Sequence, residues 1–207
     1  MSRPGKKLNK QQKHALGMIR IIGGEWRGRK LPVLSQDGLR PTSDRMRETL
    51  FNWLQFEIAG ARCLDAFAGS GALGLEALSR GASSVVFIEK NPGVAQQLSS
   101  NCALLQTQQA QVFNIDSQAW LNQNEQISFD LVFIDPPFHQ RLVEPTLQTL
   151  LAAGRHYPSW LYIEQEKTLA WPEACLSQFE LYREKTTSQA RLGLWRFKHE
   201  LKREASK

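Results

Sequence analysis

No stretch of the sequence approaches the ~20 consecutive apolar residues that a membrane span requires. Its longest apolar runs, Leu131-Val132-Phe133-Ile134 and Val85-Val86-Phe87-Ile88, are only strand-length. Cysteine is equally scarce. Cys63, Cys102 and Cys175 offer neither an even disulfide framework nor a C-x-x-C pair, which fits a reducing cytoplasm. The four histidines, His14, His139, His156 and His199, lack ligand spacing, so no metal is expected. The basic start, residues 1–13, is not followed by an apolar segment with a small-residue cleavage site, so export is not expected either. Repeats and low-complexity tracts are absent. What is present is an ordinary globular balance, 42% hydrophobic and 22% charged over 207 residues. At that length roughly 70% of the unfolded chain's surface can be buried, enough for a core that needs no staples.

The net charge of +6 is unevenly spread. Residues 1–47 hold twelve Lys/Arg against three acids, residues 48–195 nine against fifteen, and residues 196–207 five against two. An acidic body carrying a basic arm is the electrostatic footprint of a protein that meets a polyanion, because each cation placed on a phosphate releases counterions. Residues 1–17 read as a disordered basic tail and residues 199–207 as a polar basic one. Residues 18–42 read as a basic β-hairpin with a linker, its strands near 18–22 and 29–34 and its turns at Gly23-Gly24 and Gly28. Thr42-Ser43-Asp44 supplies helix-start chemistry, and Met46, Leu50, Trp53 and Leu54 fall on one helical stripe.

From Gly60 onward strands and helices alternate, which predicts a parallel sheet covered on both faces. Strands are expected near 63–67, 84–89, 111–115, 129–134 and 160–164, with helices near 71–80, 92–105, 117–122 and 141–153. Residues 179–187 and 191–198 are too close in sequence for a crossover and should pair antiparallel. This pattern resembles the α/β Rossmann-like class I S-adenosylmethionine-dependent methyltransferases: a mostly parallel seven-stranded sheet with an antiparallel C-terminal hairpin. Residues 43–198 would form that domain.

Two motifs carry chemistry. Asp65-Ala66-Phe67-Ala68-Gly69-Ser70-Gly71 places a glycine turn between a strand and a helix, and Gly69, Gly71 and Gly74 match G-x-G-x-x-G. Glu89 closes the next strand, where an acid accepts hydrogen bonds from ribose hydroxyls. The loop alone is compatible with a dinucleotide. Asp65 favours S-adenosyl-L-methionine, because a carboxylate there repels a pyrophosphate and suits an ammonium and a sulfonium. Asp116, after the third strand, is either a helix N-cap or an adenine contact, and the roles are compatible. Asp65, Phe67, Gly69, Ser70, Gly71, Glu89 and Asp116 thus form the expected cofactor set.

The second motif, Asp135-Pro136-Pro137-Phe138, follows an apolar strand and so lies at the carboxyl edge of the sheet. It matches the D/N-P-P-Y/F signature of methyltransferases acting on a planar nitrogen. An exocyclic base amine is a poor nucleophile, since its lone pair is delocalised into the ring. Asp135 and a backbone carbonyl beside Pro136 can hold its N–H groups, the prolines stiffen the loop, and Phe138 can stack on an extruded base. His139 is a further substrate-contact candidate, and Trp26, inside the basic hairpin, a candidate RNA contact.

The chain also resembles a narrower family, the bacterial 16S ribosomal RNA guanine-N2 methyltransferases of the RsmD type, over about residues 19–197. The resemblance rests on Ile19-Arg20-Ile21-Ile22-Gly23-Gly24-Glu25-Trp26-Arg27-Gly28-Arg29-Lys30-Leu31, on Arg40-Pro41-Thr42 with Asp44-Arg45 and Arg47-Glu48-Thr49-Leu50-Phe51-Asn52-Trp53-Leu54, and on the two loops above. It implies methyl transfer to N2 of one guanine in 16S ribosomal RNA, in the assembled small subunit, with residues 40–48 closing over cofactor and base. Arg20, Arg27, Arg29, Lys30, Arg40, Arg45 and Arg47 are the expected RNA contacts. A cytoplasmic monomer working without metal or covalent intermediate is the overall expectation. Two alternatives remain at this point: methylation of adenine N6 in DNA or RNA, and an RNA-binding assembly factor with a vestigial pocket.

Overall fold

The computed structural model describes residues 16–34, 43–152 and 157–198. Strands β1 (Leu16–Arg20) and β2 (Lys30–Leu34) pair antiparallel, from Leu16 opposite Leu34 to Arg20 opposite Lys30. Leu16 and Gly17 therefore belong to the hairpin rather than to a disordered tail. The two-residue period turns Ile19, Leu31 and Val33 inward and leaves Met18, Arg20 and Lys30 exposed. Trp26 is 8% exposed and packs with these inward residues, so it is a core residue and not an RNA contact.

Helix α1 (Asp44–Trp53) starts as its sequence requires: the Ser43 hydroxyl caps it by accepting from the Met46 N–H at 3.3 Å, and Asp44 occupies the first turn. Its buried face is Arg47, Leu50 and Phe51, continued by Leu54 beyond the helix end. Phe51, and not Trp53, is fully buried, while Trp53 is partly buried and packs against the core. The apolar stripe alone put the face one step off, because Arg47 is drawn inward by a partner far along the chain.

The body follows as β3 (Arg62–Asp65), α2 (Ala72–Ser79), β4 (Ser84–Ile88), α3 (Pro92–Leu104), β5 (Ala110–Phe113), α4 (Ser117–Gln123), β6 (Leu131–Ile134), α5 (Val143–Leu150), β7 (Trp160–Glu166), α6 (Glu173–Gln178), β8 (Phe179–Thr186) and β9 (Ala190–Phe197). Helix α6 was not expected from the sequence. The seven strands lie in the order β5-β4-β3-β6-β7-β9-β8, the first five parallel and β9 antiparallel to both neighbours. Strand β6 is buried on both faces, which explains its unbroken Leu-Val-Phe-Ile run. One apolar cluster joins Leu75, Phe87, Phe133 and Leu194 to the hairpin and to Phe51, and a second, on the other face, holds Val132, Ile134, Leu161, Leu147 and Trp195. Burying each such large side chain stabilises the fold by about 1.5–3 kcal/mol. All three cysteines are free and buried, and burial pushes the Cys63 thiol up to about 12. No helix among the described residues is long and apolar enough to cross a membrane.

Strand order reverses between β3 and β6, since the chain runs outward from β3 through β4 and β5 and then returns to β3's other side at β6. In open α/β sheets such a switch point leaves a crevice at the carboxyl ends of the strands, where the following loops splay to opposite faces.

Candidate active site

That crevice is a cavity of about 370 Å³, within the range of small-molecule sites. The loop after β3 contributes Phe67 and Gly69, the end of β4 contributes Glu89, and the loop after β5 contributes Ile115, Asp116 and Ser117. Across from them lie Asp135, Pro136, Pro137 and Phe138 after β6. Ser43 and Met46 of the α1 start, Glu164 on β7, and Ser188 and Gln189 of the β8–β9 turn complete the wall. The two sequence motifs thus face one space.

The glycine loop is held by its acids. Glu89 accepts from the Gly69 N–H at 2.9 Å and from the Asn91 N–H at 2.6 Å, which fixes the loop against the end of β4. Gly71 begins α2 at φ +78°, a left-handed conformation that favours glycine. A Cβ on Gly74 would lie 2.2 Å from a Phe87 ring carbon, so the last glycine permits close packing of helix on strand. Ser70 and Gly71 do not line the cavity.

Asp65 also departs from expectation. Its carboxyl does not line the cavity. It is buried and accepts from the Gly74 N–H at 3.1 Å, tying the strand end to the first turn of α2. Burial is the main force that raises its pKa from 3.8 to about 7, with Glu89's charge adding and the hydrogen bonds from Gly74 and Phe67 opposing. Between about pH 4 and pH 7 the folded chain therefore holds a proton here that the unfolded chain has released, and stability falls as pH rises through this window. Comparing Asp65→Asn with the parent isolates the effect. The variant should gain relative stability from pH 4 to pH 8, by up to about 4 kcal/mol at 1.36 kcal/mol per pKa unit, and parallel stability–pH curves would refute a buried, proton-binding Asp65.

Asp116 is the N-cap of α4, accepting from the Gln118 and Ala119 N–H groups at 3.0 and 3.4 Å, and it lines the cavity as well. The N-cap role is thus observed, and the same side chain faces the cavity. The Ser117 hydroxyl beside it is buried with no protein partner. An orphaned buried polar atom on a cavity wall is satisfied by a ligand or water, and with Glu89 and Asp116 it forms a polar set suited to ribose hydroxyls and an adenine edge. His139, by contrast, is 88% exposed and its backbone N–H donates to Glu166, so it lies outside the cavity.

The expected RNA contacts separate. Arg20, Arg27, Arg29, Lys30 and Arg45 are on the surface. Arg20 pairs with Asp44, and the Arg29 guanidinium donates to the Leu104 carbonyl at 2.9 Å. Arg40 lies outside the described residues. Arg47 is 2% exposed and cannot meet RNA: its guanidinium donates to the Arg20 carbonyl at 2.8 Å and to Asp44 at 2.6 Å, and stands 3.7 Å from Glu76. Glu76, fully buried on α2, accepts from the Ile22 and Gly23 N–H groups, both at 2.8 Å, and from Arg80 at 2.7 Å. This cluster fastens the hairpin and α1 to the helix that opens at the glycine loop. Its sequence signal was a lone acid inside the otherwise apolar Ala-Leu-Gly-Leu-Glu-Ala-Leu-Ser helix. Glu164, Ser188 and Gln189 carried no signal, since only the sheet order brings them to the cavity.

A family model described as Conserved hypothetical protein 95 matches residues 19–196. Among curated relatives, the Ribosomal RNA small subunit methyltransferase D of Haemophilus influenzae is 49% identical, covering 86% of this chain and 93% of its own length. The protein of the same name from Escherichia coli K12 is 45% identical, covering 91% and 94%. A solved Escherichia coli protein, yhhF, superimposes with a TM-score of 0.77 at 45% identity, covering 88% of this chain and 99% of that one. A Thermus thermophilus 16S rRNA N2 G1207 methyltransferase (RsmC), solved in complex with AdoMet and guanosine, shares the fold with a TM-score of 0.70 at 22% identity, covering 88% of this chain and 50% of that one.

Proposed function

Because the chain belongs to the Conserved hypothetical protein 95 family, together with the small-subunit methyltransferases D, we propose that it transfers a methyl group from S-adenosylmethionine to N2 of a specific guanine in 16S ribosomal RNA, within the assembled small subunit. The observation that carries this reading is that one cavity takes its walls from both the glycine loop with Glu89 and the Asp135–Phe138 loop. Cofactor residues alone would serve many reactions, and an Asp-Pro-Pro-Phe turn alone would only end a strand. Facing each other across one space, they suit methyl transfer to a planar amine.

S-adenosylmethionine, when bound, supplies an electrophilic methyl. Glu89 and Asp116 would take its ribose and adenine, with the Ser117 hydroxyl as a further partner, while Asp65, Ser70 and Gly71 would shape the loop. Asp135 and the carbonyl beside Pro136 hold the target amine, and Phe138, half-buried against the core, offers a face for the base. The exposed cations of the hairpin, with the exposed Arg45 on α1, present a basic surface for the ribosomal phosphates. A rigid hairpin fits a folded particle better than a free strand, since neither partner then has to be ordered on binding.

Small subunits from cells lacking the gene, incubated with the protein and labelled S-adenosylmethionine and digested to nucleosides, should yield N2-methylguanosine from one position, with less from naked RNA. Label in N6-methyladenosine would overturn the base assignment, and no transfer would overturn the activity.

A further inference from the structure

From the geometry we infer that Glu164 selects guanine over adenine and cytosine, by accepting a hydrogen bond from the ring N1–H beside the target amine. The inference rests on the methyltransferase reading above and names the group that sets its base specificity. The Asp-Pro-Pro-Phe loop holds an amine, and adenine and cytosine carry one too, so some other feature of the cavity has to read the ring.

Strands β6 and β7 pair in parallel, with Phe133 opposite Tyr162 and Ile134 opposite Ile163. One residue further, Asp135 directly follows the end of β6 and Glu164 lies on the neighbouring strand β7, and both line the cavity. A base whose amine is held at Asp135 therefore brings an adjacent ring atom towards Glu164. In guanine the ring nitrogen between the C2 amine and the C6 carbonyl carries a proton. The nitrogen beside adenine's N6 amine or cytosine's N4 amine presents a lone pair. A carboxylate accepts from the first and repels the others, and a site that hydrogen-bonds one edge rejects a base lacking the matching group.

Glu164 is also held for such a task. The buried Tyr162 hydroxyl donates to its Oε2 at 2.9 Å. Burial, and then the charges of Glu164 and Asp135, push the phenol well above its ordinary value, so it stays a donor at physiological pH. The Tyr162 bond takes one of the carboxylate's about four acceptor sites and fixes its orientation.

The test pairs a residue change with an atom change in the substrate. Once the target guanine is mapped, small subunits are reconstituted with either guanine or 2-aminopurine at that position; the analogue keeps the 2-amine but has a lone pair at N1. The parent should methylate guanine at least tenfold faster in single turnover. Glu164→Gln, whose amide can donate to that lone pair, should shrink the guanine-to-2-aminopurine ratio at least tenfold, with S-adenosylmethionine affinity within twofold of the parent. The analogue also lacks O6, which is why the change in ratio, and not the parent's preference, is decisive. An unchanged ratio, or a shifted cofactor affinity, overturns the inference. Should Glu164→Gln fail to fold, Tyr162→Phe takes its place, with at least a threefold loss of discrimination expected and an unchanged ratio overturning it. A parent product other than N2-methylguanosine would instead overturn the underlying reading, so the two failures are distinguishable.

Discussion

Glu76→Ala should destabilise the protein by about 3–5 kcal/mol, the usual cost of removing one partner from a buried ion pair and leaving its counter-charge uncompensated. The carboxylate is fully buried and serves two guanidinium groups and two backbone N–H groups at once. Its loss leaves Arg47, itself 2% exposed, without its interior counter-charge, and strips the Ile22 and Gly23 amides of their acceptor. At this chain length the expected fall in melting temperature is roughly 6–20 °C. Glu76→Gln should fall between variant and parent, because a neutral amide oxygen can serve one backbone amide but not both arginines. Thermal unfolding by circular dichroism checks both. A melting temperature for Glu76→Ala within about 2 °C of the parent would show that the cluster contributes no net stability. The change should also loosen the hairpin and the α1 start, so RNA affinity should fall even where the core stays folded.

Asp135→Ala should fold normally and bind S-adenosylmethionine within a few-fold of the parent, yet lose about 10²–10³ in single-turnover rate, as when a preorganised polar group aimed at the reacting centre is removed. The residue leaves β6 at the carboxyl edge, after a strand whose four residues are all buried, so its backbone position is set by the core. Its side chain lines the cavity, where the proposed amine would sit. Rapid-quench methylation at saturating small subunits, with calorimetry of cofactor binding alongside, makes the comparison. A rate within a few-fold of the parent would remove Asp135 from the mechanism. Weakened cofactor binding with an unchanged rate would move it to the other side of the cavity.

These two acids illustrate how differently residues announce themselves. The place of Asp135 on the cavity wall was legible from the chain alone because it depends on immediate neighbours: an apolar strand before it, two prolines after it. The glycine loop, Glu89 and the Ser43 cap were legible for the same reason. Arg47 and Trp26 misled because a basic or aromatic residue in a basic segment resembles a surface contact until its partner is known, and Arg47's interior partner is Glu76. Asp65 misled more subtly. Its position in the motif was right, but the direction of its carboxyl, towards the Gly74 amide and away from the cavity, is set by how α2 packs on β3.

Local pattern thus determined the strand and helix alternation, the antiparallel C-terminal pair, both motifs and the segregation of charge, since periodicity, turn chemistry and composition act over a few residues. Strand order did not follow from these terms. It is decided by which faces must be buried together, and that choice alone placed Glu164 beside Asp135, brought Ser188 and Gln189 of the β8–β9 turn to the cavity, and sealed Glu76 against residues 22, 23 and 47. A buried charge is tolerable only when it is paired, and three of Glu76's partners, Ile22, Gly23 and Arg47, come from elsewhere in the chain, so its role becomes visible only after the chain has folded.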